Sequence, residues 1–473
     1  MHNAFRVLTL LLVSNLVSAQ DTLVFSYRNY YEQILEHHPV IRLSGLITES
    51  AQRELLIAKG GFDPTIVGSF DRKVYKGTNY FDRGDVFLKV PVWVGGADLK
   101  VGYDRNIGET LSNDVFTGRE GISYIGLTVP IGQGFVIDSR RATLLQARVF
   151  QDLADADRVK MVNKIILTAA KDYWNWYFSN RQYQLSADFY DLAKVRYSAT
   201  LQRAELGEAA AIDTVETLVT LQDRRVMLDQ AILELRNARL LLSNHLWSKD
   251  QIPLELPEQA LPQLSTGRVL ASDELDQLLR LSLQRHPEII KFDFKRQQLS
   301  IDERLGREML KPVLNFNFST LFQGGFALND TKYSTGFANP GDNYKLMVDL
   351  YFPIFLRKER GKLQQILIKQ LQNDLDQKQV QREVINEVNA AFNDVKTLEL
   401  QIRTQEAAAI NQQLLLAAEE QKFSIGESSL FLVNSRESKL NEFLVKVASL
   451  QAKYEKALAV LLFASGVSSW DNL

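Results

Sequence analysis

The chain has 473 residues, enough for two or three ordinary domains or one elongated one, and its 45% apolar and 24% charged side chains exclude a disordered chain. Its 55 basic and 57 acidic residues leave a net charge of −2 without a block of like charges, so the clustered Lys and Arg that a nucleic-acid partner needs are missing. There is no cysteine, which excludes disulfides, thiolate zinc sites and thiol catalysis.

Residues 1–19 read as a secretory signal: Arg6, an apolar run from Val7 to Val17, and the small-residue cleavage site Val17-Ser18-Ala19. A helix is expected over 27–60, containing His38-Pro39. Strand candidates follow at 64–75, 84–93, 97–106 and 119–130, inside a β-region 64–130. From Ser139 to Asp250 the only glycine is Gly207, and no proline occurs between Pro130 and Pro253. That spacing predicts a long helix over 138–206, a tight turn at Gly207 and a return helix over 208–246. Pro253, Pro257 and Pro262 mark a linker over 247–272.

The plan then recurs, so the chain reads as a first repeat over 20–246 and a second over 273–466, before a tail at 467–473. His286-Pro287 follows His38-Pro39 at the same interval at which Lys311-Pro312 follows Asp63-Pro64. Leu350-Tyr351-Phe352-Pro353-Ile354 echoes Leu127-Thr128-Val129-Pro130-Ile131, and Gly426-Glu427 echoes Gly207-Glu208. The second repeat predicts a helix over 273–309, strands at 312–323 and 343–353 (β-region 312–353), a long helix over 357–425 and a return helix over 427–465. Val384, Val388, Ala391, Val395, Leu398 and Ile402 step by four and three, a coiled-coil seam.

At 1.5 Å per residue each long helix reaches roughly 100 Å, far beyond the ~30 Å core of a bilayer. After residue 19 no run of 18 apolar residues exists, so a membrane crossing requires a closed β-barrel. The strands are of outer-membrane length, and Tyr80, Phe81, Trp93, Tyr103 and Tyr124 are candidates for an aromatic girdle. Six strands fall short of the roughly eight that close the smallest barrels, so several chains must contribute.

These features resemble the TolC family of outer-membrane efflux proteins over about 25–466. The carriers are the duplicated plan, the His-Pro pairs, the strand-ending Val129-Pro130-Ile131 and Phe352-Pro353-Ile354, and the Gly-Glu turns. The resemblance implies an α+β membrane protein: a homotrimer sharing one transmembrane β-barrel, continued by a long α-helical coiled-coil barrel in the periplasm. It implies a passive exit duct for a tripartite efflux or type I secretion system, partnered by outer membrane lipid, a periplasmic adaptor and an inner-membrane pump. One departure concerns the strands, since a typical member has two per repeat and the first repeat here offers four. Either an extra hairpin lies outside the barrel or the barrel is larger.

The resemblance also implies that Gly207, Glu208, Gly426 and Glu427 form an adaptor-docking tip; helix capping alone is the plainer reading. It places a periplasmic gate at Asp213 and Glu216, with Leu432 and Ser435 in the matching positions of the second repeat. Three copies would ring six carboxylates; two solvated acids favoured by a helix N-terminus are the alternative. Arg140 and Arg141 suit either a membrane interface or a solvated helix start. Tyr173, Trp174, Trp176 and Tyr177 fit packing between helices better than a ligand cage. His37 and His38 are adjacent and would point apart on a helix, so a shared metal is not expected, and no nucleophile, phosphate-loop or cofactor motif is present. No enzyme and no cofactor are expected; the competing class is a secreted trimeric coiled-coil spacer without a pore.

Overall fold

The computed structural model describes residues 24–108, 111–112, 115–265, 267–271, 273–324 and 342–467. The leader expected over 1–19 and all but the first residue of the 467–473 tail lie outside the described residues. The chain divides into two compact units: one gathers residues 1–43, 161–282 and 384–473, the other 44–160 and 283–383.

In element order the chain runs β1 (Val24–Phe25), α1 (Tyr27–His37), α2 (Pro39–Lys59), β2 (Thr65–Tyr75), β3 (Thr78–Pro91), β4 (Asp98–Ile107) and β5 (Ile122–Pro130). Then come α3 (Ser139–Glu205), α4 (Ala211–Ser243), β6 (Leu261–Pro262), α5 (Glu274–Arg285), α6 (Pro287–Glu308), β7 (Val313–Gln323), β8 (Tyr344–Tyr351), α7 (Arg357–Ser424) and α8 (Leu430–Ala464). None of the described helices is long and apolar enough to cross a membrane.

The helices expected as single pieces over 27–60 and 273–309 each break in two, at His38 and His286. Proline cannot accept a helical predecessor, and the two histidines are extended, with ψ of 131° and 124°. Each then caps the helix that its proline begins. His38 Nδ1 accepts from the backbone N–H of Val40 at 3.1 Å, and His286 Nδ1 from that of Glu288 at 3.3 Å.

The unit containing residues 44–160 and 283–383 is built on one antiparallel sheet of order β2-β3-β4-β5-β7-β8. β3 starts at Thr78, earlier than the expected 84. Lys76 and Gly77 both take positive φ, 51° and 76°, and this two-residue turn opposes Tyr75 to Thr78. The turn between β3 and β4 is bolted to the start of α3. Arg140 bonds Asp98 at 2.8 Å, Asp138 and the carbonyl of Gly96; Lys89 reaches Asp98 at 3.1 Å. Arg141, which is buried, bonds Asp138 and the carbonyls of Gly134 and Phe135. These arginines are therefore structural ties and not solvated helix starts. Gly96 (φ 67°) has no room for a side chain: a Cβ there would lie 2.6 Å from the Gly134 carbonyl oxygen.

The other unit is helical, with β1 and β6 pairing in parallel as its only sheet among the described residues. Its main core gathers Tyr30, Ile34, Tyr173, Trp174, Trp176, Tyr177, Leu235 and Leu242. Tyr173 Oη donates to the Phe25 carbonyl at 2.8 Å, so these aromatics pack and tie the chain down. On α7 the seam residues Val384, Val388, Ala391 and Val395 are buried, and Leu398 and Ile402 half-buried.

Candidate functional site

Both long helices end in the same closing turn. At the end of α3, the N–H of Glu208 bonds the Arg203 carbonyl at 2.8 Å and that of Gly207 bonds the Ala204 carbonyl at 3.0 Å. At the end of α7, Glu427 bonds Lys422 at 2.9 Å and Gly426 bonds Phe423 at 3.1 Å. Gly207 and Gly426 have φ of 79° and 77°, the left-handed conformation that this pair of bonds requires. Gly207, Glu208, Gly426 and Glu427 are all exposed, as are the adjoining Leu206 and Ile425. Beyond the turns the repeats differ. α8 is capped by Ser429, whose hydroxyl accepts from the Leu432 N–H at 3.4 Å, whereas Ala210, which precedes α4, gives no side-chain cap.

Asp213 lies in the first turn of α4, where the helix dipole favours a carboxylate. Glu216 is half-buried and accepts from Asn434 Nδ2 on α8 at 3.3 Å. Leu432 and Ser435, on α8, are exposed. Asn434 Oδ1 in turn accepts from Arg196 on α3 at 2.9 Å, and the same guanidinium lies 2.6 Å from the fully buried Glu437. Buried Arg224 on α4 donates to Ser438 Oγ at 2.6 Å. A charged polar chain thus ties α3, α4 and α8 together, and Glu216 is one end of it. Sequence reading missed Glu437, although Val433, Glu437 and Leu440 fall on one stripe at helical spacing. A carboxylate in a core stripe needs a buried cation.

A second missed feature is on α4. Ile212, Val219, Val226, Leu233 and Leu240 recur every seven residues, and each is between 51% and 71% exposed. These residues form an exposed apolar stripe along one side of α4, left bare in the single chain.

Near the start of the helical unit, the His38 and His245 rings stack at 5.8 Å, and His245 Nε2 lies 2.8 Å from Asp172. Burial, and next the facing His245, push His38 down from its usual range to about 4. His38 is therefore the uncharged cap of α2. Among the described residues, no cluster of His, Cys, Asp or Glu is arranged to hold a metal ion.

The sheet presents two chemically opposite faces. Across its strands, Ile66, Leu88, Val101, Ile125, Thr320 and Tyr344 stand in one row of directly opposed residues. Val90, Leu99, Leu127, Phe318 and Leu346 form another row of the same parity. The alternate parity carries Thr65, Lys89, Lys100, Gly126, Ser319 and Lys345 in one row. Asn317 bonds Thr128 and Asp349 on that polar side, both at 2.8 Å. On the apolar side Ile66, Phe70, Leu127, Leu346, Val348 and Leu350 are exposed. Of the residues expected in an aromatic girdle, Tyr103 shares the apolar face with Leu99 and Val101, whereas three others do not. Tyr124 bonds Asp85 on the polar side, Phe81 lies under Arg83 there, and Trp93 packs on Phe62 beyond the end of β3.

Several solved structures share this fold. The open state of the MtrE outer membrane channel of Neisseria gonorrhoeae aligns with a TM-score of 0.67 at 14% identity, over 93% of this chain and 89% of that one. The CmeC outer membrane channel of Campylobacter jejuni aligns at 0.63 and 13%, over 93% and 85%. The outer membrane protein VceC of Vibrio cholerae also aligns at 0.63 and 13%, over 93% and 96%. No curated protein matches the chain by sequence. Residues 278–467 match the family described as outer membrane efflux protein. Residues 278–467 are thus similar to the outer membrane efflux protein family, and the fold of the chain is the one these outer membrane channels share.

Proposed function

We propose that three copies of this chain form a passive exit duct, their sheets closing one barrel in the outer membrane and their helices extending the conduit into the periplasm. The observation that carries this reading is the sheet with one bare apolar face and one polar face. A barrel wall needs lipid outside and water within. A spacer without a pore has no use for such a face. The bare apolar stripe on α4 supports assembly from several copies, because each chain leaves exposed apolar surface for a neighbour to cover.

In this duct the exposed turns at Gly207-Glu208 and Gly426-Glu427 dock the adaptor of an inner-membrane pump, as in a tripartite efflux or type I secretion system. Asp213 and Glu216, with Leu432 and Ser435, line the periplasmic gate. The bond from Asn434 fixes the Glu216 carboxylate, so Asp213 is the freer charge of the pair.

Single-channel recording of the purified protein in planar bilayers tests the reading, comparing wild type with Asp213→Ala/Glu216→Ala. A discrete pore blocked by multivalent cations in wild type and less so in the variant is expected. A pore unchanged by the substitutions would remove the gate, and no pore from a folded trimer would remove the duct.

A further inference from the structure

The departure in strand number has a structural answer, which rests on the duct reading above. We propose that the β2–β3 hairpin is part of the barrel wall, that copies join β8 to β2, and that the shared barrel has eighteen strands and not twelve.

Three observations carry this. First, a four-stranded contribution would offer β4 as its edge, but that edge is taken. β3 pairs with β4 from Asp82↔Ile107 to Pro91↔Asp98 without a register shift. The Arg140–Asp98–Lys89 ties further hold β3 and β4 to the start of α3. Second, β2 and β8 are the outer strands of the sheet, and every residue of both is exposed. Their outer edges have no pairing among the described residues, and a lipid-facing edge cannot be left unpaired. Third, the hairpin continues the apolar face: Ile66 is opposite Leu88, which is opposite Val101.

The geometry of closure also fits. Every neighbouring pair in the sheet is antiparallel, so with six strands β8 runs opposite to β2, and a β8–β2 seam is antiparallel like the rest. The hydrogen-bonded row that starts at Thr65, the first residue of β2, arrives at Lys345, while β8 ends at Tyr351. Each copy therefore contributes a stagger of about six residues, and three copies a shear of about eighteen. A shear equal to the strand number gives a tilt of about 36°, within the range of outer-membrane barrels. Matching the helix-side ends, Thr65 against Tyr351, keeps apolar faces continuous and sets Asp71 of one copy opposite Lys345 of the next. Barrel diameter grows roughly linearly with strand number, so this duct is about 1.5 times as wide at the membrane as a twelve-stranded one.

The absence of native cysteine makes the seam directly testable by disulfide trapping. Two double variants are oxidised in outer-membrane preparations and run on non-reducing gels, with the native mass measured in parallel. Ser69→Cys/Met347→Cys places thiols across the β8–β2 seam; Lys100→Cys/Asp349→Cys places them across the β8–β4 seam of a twelve-stranded barrel. Covalent dimers and trimers from the first variant alone are expected. Cross-linking by the second alone would overturn the proposal and leave the shared barrel standing. If neither links while the native mass is trimeric, the seam is wrong; if neither links and the mass is monomeric, the duct reading falls with it.

Discussion

The sheet and the helical unit solve opposite problems with the same residue types. In the helical unit apolar side chains are inside: Tyr30, Trp176, Leu242 and Leu461 are fully buried, and the one wholly buried carboxylate, among the described residues, is met by Arg196. In the sheet most apolar residues are on a bare face, which carries Arg72, Asp82 and Arg105 only toward its far end, and the charged residues Lys89, Asp85, Lys100 and Asp349 stand together on the other. The first arrangement suits water, and the second suits apolar surface with lipid to meet. In the proposed duct, one chain is built for two solvents.

Substitutions that reverse the placement of polar groups in each region break this comparison most sharply. In the helical unit Glu437→Ala leaves Arg196 without its buried partner and should cost about 3–5 kcal/mol in unfolding. Thermal melts of Glu437→Ala beside Asp213→Ala, whose carboxylate is half-exposed, would show whether burial sets the cost. In the sheet Val348→Arg puts a charge on the apolar face and should cost about 2–4 kcal/mol in lipid. The neighbouring Met347→Arg, on the polar face, should change stability little. Equal losses at both positions, in folding titrations into lipid vesicles, would remove the two-faced sheet.

Smaller effects sharpen the picture at the turns and caps. His38 is held near 4 against an ordinary 6.5, so the unfolded chain binds the proton more readily than the folded one. Its contribution is complete above about pH 6.5 and is lost as pH falls toward 4, because protonated Nδ1 can no longer accept from Val40. The loss is about 1–2 kcal/mol, that of a helix cap. His38→Asn, which keeps a capping acceptor, should flatten the pH profile of the melting temperature in this window. Gly207→Ala meets no atom within 4 Å and is strained only by its φ of 79°, so a cost of about 1 kcal/mol is expected. Hydrogen exchange at Glu208 should report that loosening, whereas a loss as large as that of Glu437→Ala would mean the turn is packed.

Much of the architecture was legible because glycine and proline act locally. A lone glycine in a long helical stretch marks a reversal, and both such glycines adopt positive φ. The His-Pro pairs announced the duplication, but their role as helix breaks needed the rule that proline forbids a helical predecessor. The early start of β3 hid behind Lys76, a residue that rarely takes positive φ. Pairing across distant segments was the least legible part. Arg196 and Glu437 stand far apart in the chain, and nothing local says that they meet. The α4 stripe was readable in principle as a seven-residue period, yet its exposure, which gives it meaning, is a property of the fold. Likewise the alternation of Val313, Asn315, Asn317 and Ser319 with Leu314, Phe316 and Phe318 in β7 was visible, but the single apolar face follows from five registers acting together.

The central claim is that this face meets lipid while its reverse meets water. Spin labels at single cysteines replacing residues 345 to 350 in turn, in a chain without native thiols, read it directly in reconstituted bilayers. The account predicts a period of two: labels at 346, 348 and 350 accessible to oxygen dissolved in lipid, and those at 345, 347 and 349 accessible to a water-soluble nickel chelate. Accessibility to the chelate at all six positions, or at none, would contradict it.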